Sequence, residues 1–321
     1  MSRVTRLGRA LPDGGCIGVV ATSTTWYDRS EIFRGVQDWE RRGYRVKLGE
    51  HIWDRDDYHA GDPADRAKDL MAMYTDPEVD VVQAFQGGYT AAQMLPHLDF
   101  DTIAEHPKAL VGFSDITALH TAMLERAGLA TIYGPGMAGM GDPDRGEWSK
   151  ERLVRVLRDG GVGPVPPNPD DPYVRAIRGG RVTAPLVGGC LWLLQHAVGT
   201  PWGPSLDGCI FFWEDVDTPT TYLEAHLVHL RQAGLLDRVA GVVVGELEKC
   251  EWREERPEWA RVMSIEDLLE RYLEPLGVPV LYRLPLGHGK HLAAIPLGVT
   301  ATLDADAGTL AIDEPGVTAD A

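Results

Sequence analysis

The sequence predicts an α/β protein organised around a mostly parallel sheet, and three observations carry that prediction. Short apolar runs alternate with amphipathic helical stretches through the first half of the 321 residues. The runs are apolar throughout, as strands covered on both faces must be. Composition agrees: 44% hydrophobic and 25% charged residues suit a soluble globular chain long enough for two cores.

In order, strands are expected at Cys16–Ala21, Tyr44–Leu48, Asp80–Phe85, Lys108–Phe113 and Ala130–Tyr133. Helical patterns fall between and after them, at Ser30–Arg42, Pro63–Tyr74, Thr90–Leu95, Ile116–Glu125 and Glu147–Arg158. The glycine-, proline- and acid-rich stretch Gly160 to Pro172 opposes regular structure. It predicts domains over 1–160 and 178–321 joined by a linker over 161–177. The second half is less regular. Strands are expected at Gly180–Leu186, Cys209–Trp213, Val239–Val244 and Val278–Arg283, and Asp304 to Gly308 has hairpin chemistry between Gly298–Leu303 and Thr309–Ile312. Helices are expected at Leu191–Ala197, Thr221–Ala233 and Ile265–Leu273.

A net charge of −17 opposes a nucleic acid polymer or an anionic membrane as partner. No secretory apolar core follows Met1 to Arg6, and no apolar run is long enough to span a bilayer, so the expected location is cytoplasmic. Cys16, Cys190, Cys209 and Cys250 are scattered without a C-x-x-C pair. They read as reduced, buried thiols rather than as disulfides or a zinc site.

Polar or glycine clusters stand where expected strands end: Gly87-Gly88-Tyr89, Ser114, Glu214-Asp215 and Gly287-His288-Gly289. Ligands of α/β sheets gather outside such ends. Each cluster offers a part for acyl transfer. Ser114, between the run Ala109 to Phe113 and a helix, is either an N-cap or a nucleophile. A serine hydroxyl needs a base, and His288 is the candidate, its flanking glycines letting the backbone approach a ligand. Glu214 is the acceptor for the second imidazole proton. The Asp115 N–H, with one from Gly87 or Gly88, is the candidate oxyanion hole.

Other histidines invite a metal reading. His226 and His229, with Glu224 on the same helix, and His288 with His291 have ligand-like spacings but no evident third ligand, so exposed polar faces are expected and no metal. Trp26, Trp192 and Trp202 read as core or pocket wall. A non-catalytic module holding a nucleotide or flavin through Thr22-Ser23-Thr24 and Gly87-Gly88 is the alternative of another class. The absence of G-x-G-x-x-G and of G-x-x-x-x-G-K-[ST] counts against it. An amidotransferase-type hydrolase would require cysteine where Ser114 stands. The order Ser, Glu, His matches α/β-hydrolases, but the second glycine of G-x-S-x-G is missing.

From about Gly15 to Val299 the chain resembles the LD-carboxypeptidase family of serine peptidases, which includes the microcin-C immunity peptidases. The resemblance is carried, in order, by Gly18 to Ser23, Gly87-Gly88-Tyr89, Gly112 to Thr117, Gly134-Pro135, Leu186 to Gly189, Gly199-Thr200-Pro201, Trp213-Glu214-Asp215, Gly241 to Gly245, Gly287-His288-Gly289 and Pro296-Leu297-Gly298. It implies a triad of Ser114, Glu214 and His288 and a mechanism without metal or cofactor. It further implies a flavodoxin-like N-terminal domain, a smaller β-rich α/β C-terminal domain and a homodimer. Gln86, Thr90 and Cys190 depart from the residues common at their positions. Gln86, Tyr89, Cys190 and Trp192 are the candidate substrate-binding residues.

Two substrate classes follow from the resemblance. One is the murein LD-peptide whose terminal D-alanine is trimmed during wall recycling, and Trp213 to Val216 followed by Tyr222 resembles that branch. The other is a peptidyl- or aminoacyl-nucleotide antibiotic. The Trp- and Glu-rich stretch Glu248–Asp267, which lengthens the approach to His288, resembles the immunity branch. Murein peptides are the first expectation.

Overall fold

The computed structural model describes residues 6–251 and 263–318. Its first sheet has six strands. Five are parallel: β1 (Cys16–Val20), β2 (Arg45–Leu48), β3 (Val81–Ala84), β4 (Ala109–Gly112) and β5 (Thr131–Tyr133). Their spatial order is 2-1-3-4-5, the flavodoxin-like order with helices on both faces. β1, β3, β4 and β5 are buried at every residue, which explains why their sequences are apolar without alternation. Side-chain caps open the helices Pro63–Thr75, Phe100–Glu105 and Ile265–Leu273. Asp62 accepts the Ala64 N–H ahead of Pro63–Thr75, with Pro63 in the first turn.

The second half forms an eight-stranded sheet. In chain order its strands are β6 (Gly163–Pro164), β7 (Arg175–Arg178), β8 (Arg181–Cys190), β9 (Ile210–Val216), β10 (Gly241–Glu248), β11 (Val280–Tyr282), then β13 (Thr300–Asp304) and β14 (Thr309–Ile312). Strand β12 (Ile295–Leu297) lies between them in sequence but pairs antiparallel with β5, completing the first sheet. β8 to β11 run parallel at the centre. The long β8 changes partner midway. Arg181 to Pro185 pair with β13, and Leu186 to Cys190 pair with β9. The hairpin expected around Asp304 to Gly308 is present, with Asp304 opposite Thr309.

Several expectations are corrected. The stretch 161–177 is not devoid of regular structure, because β6 and β7 occupy the two edges of the second sheet. An edge strand has one unpaired side, which is where a proline lacking its N–H is tolerated. The expected helix at Thr90–Leu95 is a 3-10 helix, Ala91–His97, with Pro96 inside it. The helix after Ser114 is composite: a 3-10 turn, then Thr117–Ala122, then a π turn, Met123–Ala127, closed by left-handed Gly128. Sequence periodicity does not reveal β7, β12, the helix Phe100–Glu105 or the parallel pair Gly8–Arg9 with Val317–Thr318. Residues 252–262 of the Trp- and Glu-rich stretch lie outside the described residues. Among the described residues no helix is long and apolar enough to cross a membrane.

Ile295 of β12 is fully buried and joins a core cluster that also holds Tyr133 and Phe212. Ile295→Ala is therefore expected to destabilise the protein by about 2–5 kcal/mol. A lower urea midpoint in equilibrium unfolding, at unchanged denaturant slope, checks this.

Candidate active site

The carboxyl ends of both parallel sheets meet across one cleft of about 810 Å³, lined among others by Gly87, Gly88, Ser114, Cys190 and His288. Ser114 follows buried β4 and extended Phe113, and its φ is +61°. A non-glycine residue held there costs on the order of 1–3 kcal/mol, and the surrounding structure must hold it. The Ser114 side chain makes no capping hydrogen bond, so the cap reading of this residue fails.

Behind the serine, a chain of hydrogen bonds joins the two sheets. The Ser114 N–H donates to the Tyr133 hydroxyl at 3.2 Å. That hydroxyl donates to Glu214 Oε1 at 2.6 Å, and His288 Nδ1 lies 2.7 Å from Glu214 Oε2. Glu214 is wholly buried on β9, where the pairing with β10 slips by a residue between Trp213 and Asp215. Glu214 is thus inside its strand rather than past its end. The Phe113 ring packs on the His288 imidazole at 5.0 Å, bringing the Ser114 turn and the histidine loop together.

The electrostatics follow from burial and these partners. Burial by itself lowers the His288 pKa, but the Glu214 charge and hydrogen bond, with Asp215 behind them, outweigh it and Arg145, holding it above the ordinary 6.5. Asp215 is pushed up to about 6, by burial first and by the neighbouring Glu214 charge second. Its carboxylate accepts from the Val216 and Trp192 N–H groups and the Thr218 hydroxyl. An imidazole fixed in this way can accept a proton from a hydroxyl in the same cleft, and the buried carboxylate stabilises the resulting cation.

The glycines beside His288 have a use within the chain itself. A β-carbon on Gly287, at φ +126°, would stand 2.5 Å from Glu214 Oε2, and one on Gly289 would collide with the Glu246 carboxylate. They admit carboxylates of this chain to the loop backbone. Across the cleft, a β-carbon on Gly87 would stand 3.0 Å from Ser114 Cβ and 3.4 Å from Asp115 N. The Gly87–Gly88 backbone and the Asp115 N–H therefore border the same space. The Ser114 N–H is already engaged by Tyr133.

Asp115 also ties this corner together. Its Oδ2 accepts the Ser23 hydroxyl at 2.5 Å and the Ala91 N–H at 2.7 Å. Buried Arg66 donates to the Thr22 carbonyl, the Thr90 hydroxyl and Gln93 Oε1. Thr22, Ser23 and Thr24 are buried, with the Ser23 hydroxyl taken up by Asp115 and the Thr22 carbonyl by Arg66, so this segment offers no exposed surface to a nucleotide. That removes the basis of the nucleotide-module alternative.

Gln86, Tyr89, Cys190 and Trp192 all line the cleft. The Gln86 amide nitrogen donates to the Thr25 carbonyl at 2.6 Å, Tyr89 is exposed, and the Cys190 thiol lies 3.9 Å from Asp215 Oδ1. The other histidines stay apart. His226 is buried against Trp192, which corrects the expected exposed face, and burial pushes it down to about 4. His229 meets Gln195, and His291 is buried with Nε2 3.0 Å from Asp170. Two residues at the site are not evident from sequence. Tyr133 is the last residue of an expected strand, a position that marks it only once the sheet order is known. Arg145 sits in a charged loop with no pattern to single it out.

Sequence comparison agrees with this geometry. Models described as the LD-carboxypeptidase N-terminal and C-terminal domains match residues 17–134 and 183–303. A putative carboxypeptidase of Streptomyces coelicolor is 39% identical over 281 residues, covering 83% of each chain. A probable murein peptide carboxypeptidase of Bacillus subtilis is 30% identical, covering 96% of this chain and 94% of its own. The microcin C7 self-immunity protein MccF of Escherichia coli is 27% identical, covering 96% of each. A structure of MccF in complex with glutamyl sulfamoyl guanosine overlays with a TM-score of 0.85 at 24% identity, covering 97% of this chain and 99% of the other. Motif order, fold and relatives agree, and the chain belongs to the LD-carboxypeptidase family.

Proposed function

We propose that the protein is a serine carboxypeptidase that removes the terminal residue of murein LD-peptides. The observation that carries this is the shared cleft of strained Ser114 and His288, with His288 held 2.7 Å from buried Glu214. In the proposed mechanism His288 takes the Ser114 proton as the serine attacks the carbonyl. The oxyanion is met by the Asp115 N–H and by Gly88, with Gly87 beside it. His288 then protonates the departing amine, and water releases the acyl group by the reverse sequence. Gln86, Tyr89, Cys190 and Trp192 form the substrate wall. No cofactor or metal takes part.

The proposal extends to a division at 1–160 and 178–321, supported by the separate family matches to the two halves, with β12 crossing back to the first sheet. It also extends to a reducing cytoplasm, supported by four free, buried cysteines. A homodimer is supported by the exposed Tyr27, Phe33 and Tyr58 near one helix start. A second reading, cleavage of a peptidyl-nucleotide, draws on exposed Tyr27, Tyr89 and Trp192 around the cleft, which suit stacking on a base.

Incubation with a murein tetrapeptide and with a peptidyl-adenylate mimic ranks the two readings. D-Alanine release from the tetrapeptide is expected. Hydrolysis of the adenylate mimic alone reverses the order. Ser114→Ala and His288→Ala are each expected to lower kcat by about 10³-fold or more while substrate binding persists. An unchanged kcat in Ser114→Ala removes the serine from the mechanism.

The pH profile has a definite sign. His288 acts as a base only when neutral, so kcat/KM is expected to fall as pH drops through an apparent pKa above 6.5. In Glu214→Gln the charge that holds this pKa up is gone, and the acid limb is expected to move to lower pH. A limb unmoved by that change assigns the titration to another group.

A further inference from the structure

The cleft contains a positive charge that the mechanism above leaves unused. Arg145 lies just before the helix Glu147–Asp159 and lines the same cleft as Ser114 and His288. Its guanidinium sits over the Phe113 ring, 5.5 Å from the centroid, and Nη1 donates to the Gly289 carbonyl at 3.0 Å. It is thus gripped between the residue before Ser114 and the residue after His288. A guanidinium has five N–H donors, and this carbonyl takes one. Asp142 and Glu246 act on it at longer range, and it forms no ion pair among the described residues. Burial opposes its charge, so the group gains by meeting an anion in the cleft.

Its position says which anion. In acyl transfer the histidine protonates the departing amine, so the leaving residue sits on the histidine's side of the serine. Arg145 is on that side, against the backbone of the His288 loop. In a peptide's last residue, the α-carboxylate is attached to the carbon bearing that amine. A planar two-pronged donor suits a carboxylate there. Gln86, the polar side chain on the opposite loop, donates its amide to the Thr24 and Thr25 carbonyls.

We propose that Arg145 binds the free α-carboxylate of the departing residue and so confines the site to cleavage at a chain end. This rests on the carboxypeptidase reading and adds the residue that makes the enzyme an exopeptidase. Arg145 determines specificity; the proton transfers remain with His288.

The test compares a murein tetrapeptide ending in D-alanine with the same peptide ending in D-alanine amide. Wild type is expected to favour the free acid by about 100-fold in kcat/KM. In Arg145→Gln that preference is expected to collapse to near unity, through a loss of free-acid turnover much larger than any change in amide turnover. A packing fault would lower turnover of both peptides. Arg145→Lys, with the charge but not the fork, is expected to keep roughly tenfold. Undiminished acid preference in Arg145→Gln overturns the proposal. Equilibrium binding of both peptides to Ser114→Ala protein, with and without Arg145→Gln, reads the same ratio without turnover. If wild type hydrolyses neither peptide, the murein carboxypeptidase reading fails, and the binding ratio still decides Arg145. A large ratio abolished by Arg145→Gln sustains its role, whereas equal binding of acid and amide, or none of either, overturns it.

Discussion

The buried carboxylate of Glu214 is the constraint on which the rest of the site depends. An ionised carboxylate removed from water must be met by donors, or it strongly destabilises the fold. Its donors are Tyr133 of the first sheet and His288 of the loop beyond β11. The same contacts therefore dock the two sheets and aim the imidazole. The bulge opposite Glu214, the left-handed Gly287 and the hydrogen bond from the Glu246 N–H to the Leu286 carbonyl bring the histidine loop against the carboxylate. Satisfying a buried charge and fixing the imidazole are one structural event here.

The second anchor is Asp115, and it works at short range. By accepting from Ser23 and Ala91 it joins the end of β1, the loop after β3 and the turn after β4. Three segments distant in sequence are thereby fixed around the strained φ of Ser114. Arg66 ties the same segments through the Thr22 carbonyl and Thr90 hydroxyl. The rigidity needed to hold a serine in an unfavourable conformation comes from this buried polar cluster.

Much of this was legible in the sequence, for identifiable reasons. Four of the five parallel strands of the first sheet are short, wholly buried and bounded by turn residues, and apolar runs located all five to within a residue or two. Leu191–Ala197, Thr309–Ile312 and Ile265–Leu273, the last with a capping box from Ser264 and Asp267, match their expected bounds. Ser114, Glu214 and His288 stood out because several polar or glycine clusters fell at equivalent expected strand ends, each offering a part for acyl transfer. What stayed hidden depends on long-range pairing. Strand β12 reads as an apolar scrap until β5 is seen to need a neighbour. The glycines at 287 and 289 announce close approach but not of what. Arg145 carries no local signature, since its meaning comes from Phe113 and Gly289, each far away along the chain.

The return of β12 to the first sheet limits how this architecture can be rearranged. The sheet that carries Ser114 borrows its last strand from beyond residue 290, and without it the side of β5 bears open backbone donors and acceptors. The front half is therefore no freely transplantable cassette. A fusion or permutation that severs it from the tail leaves an adhesive rim beside Tyr133, so the two halves must be inherited, and must mature, as one unit.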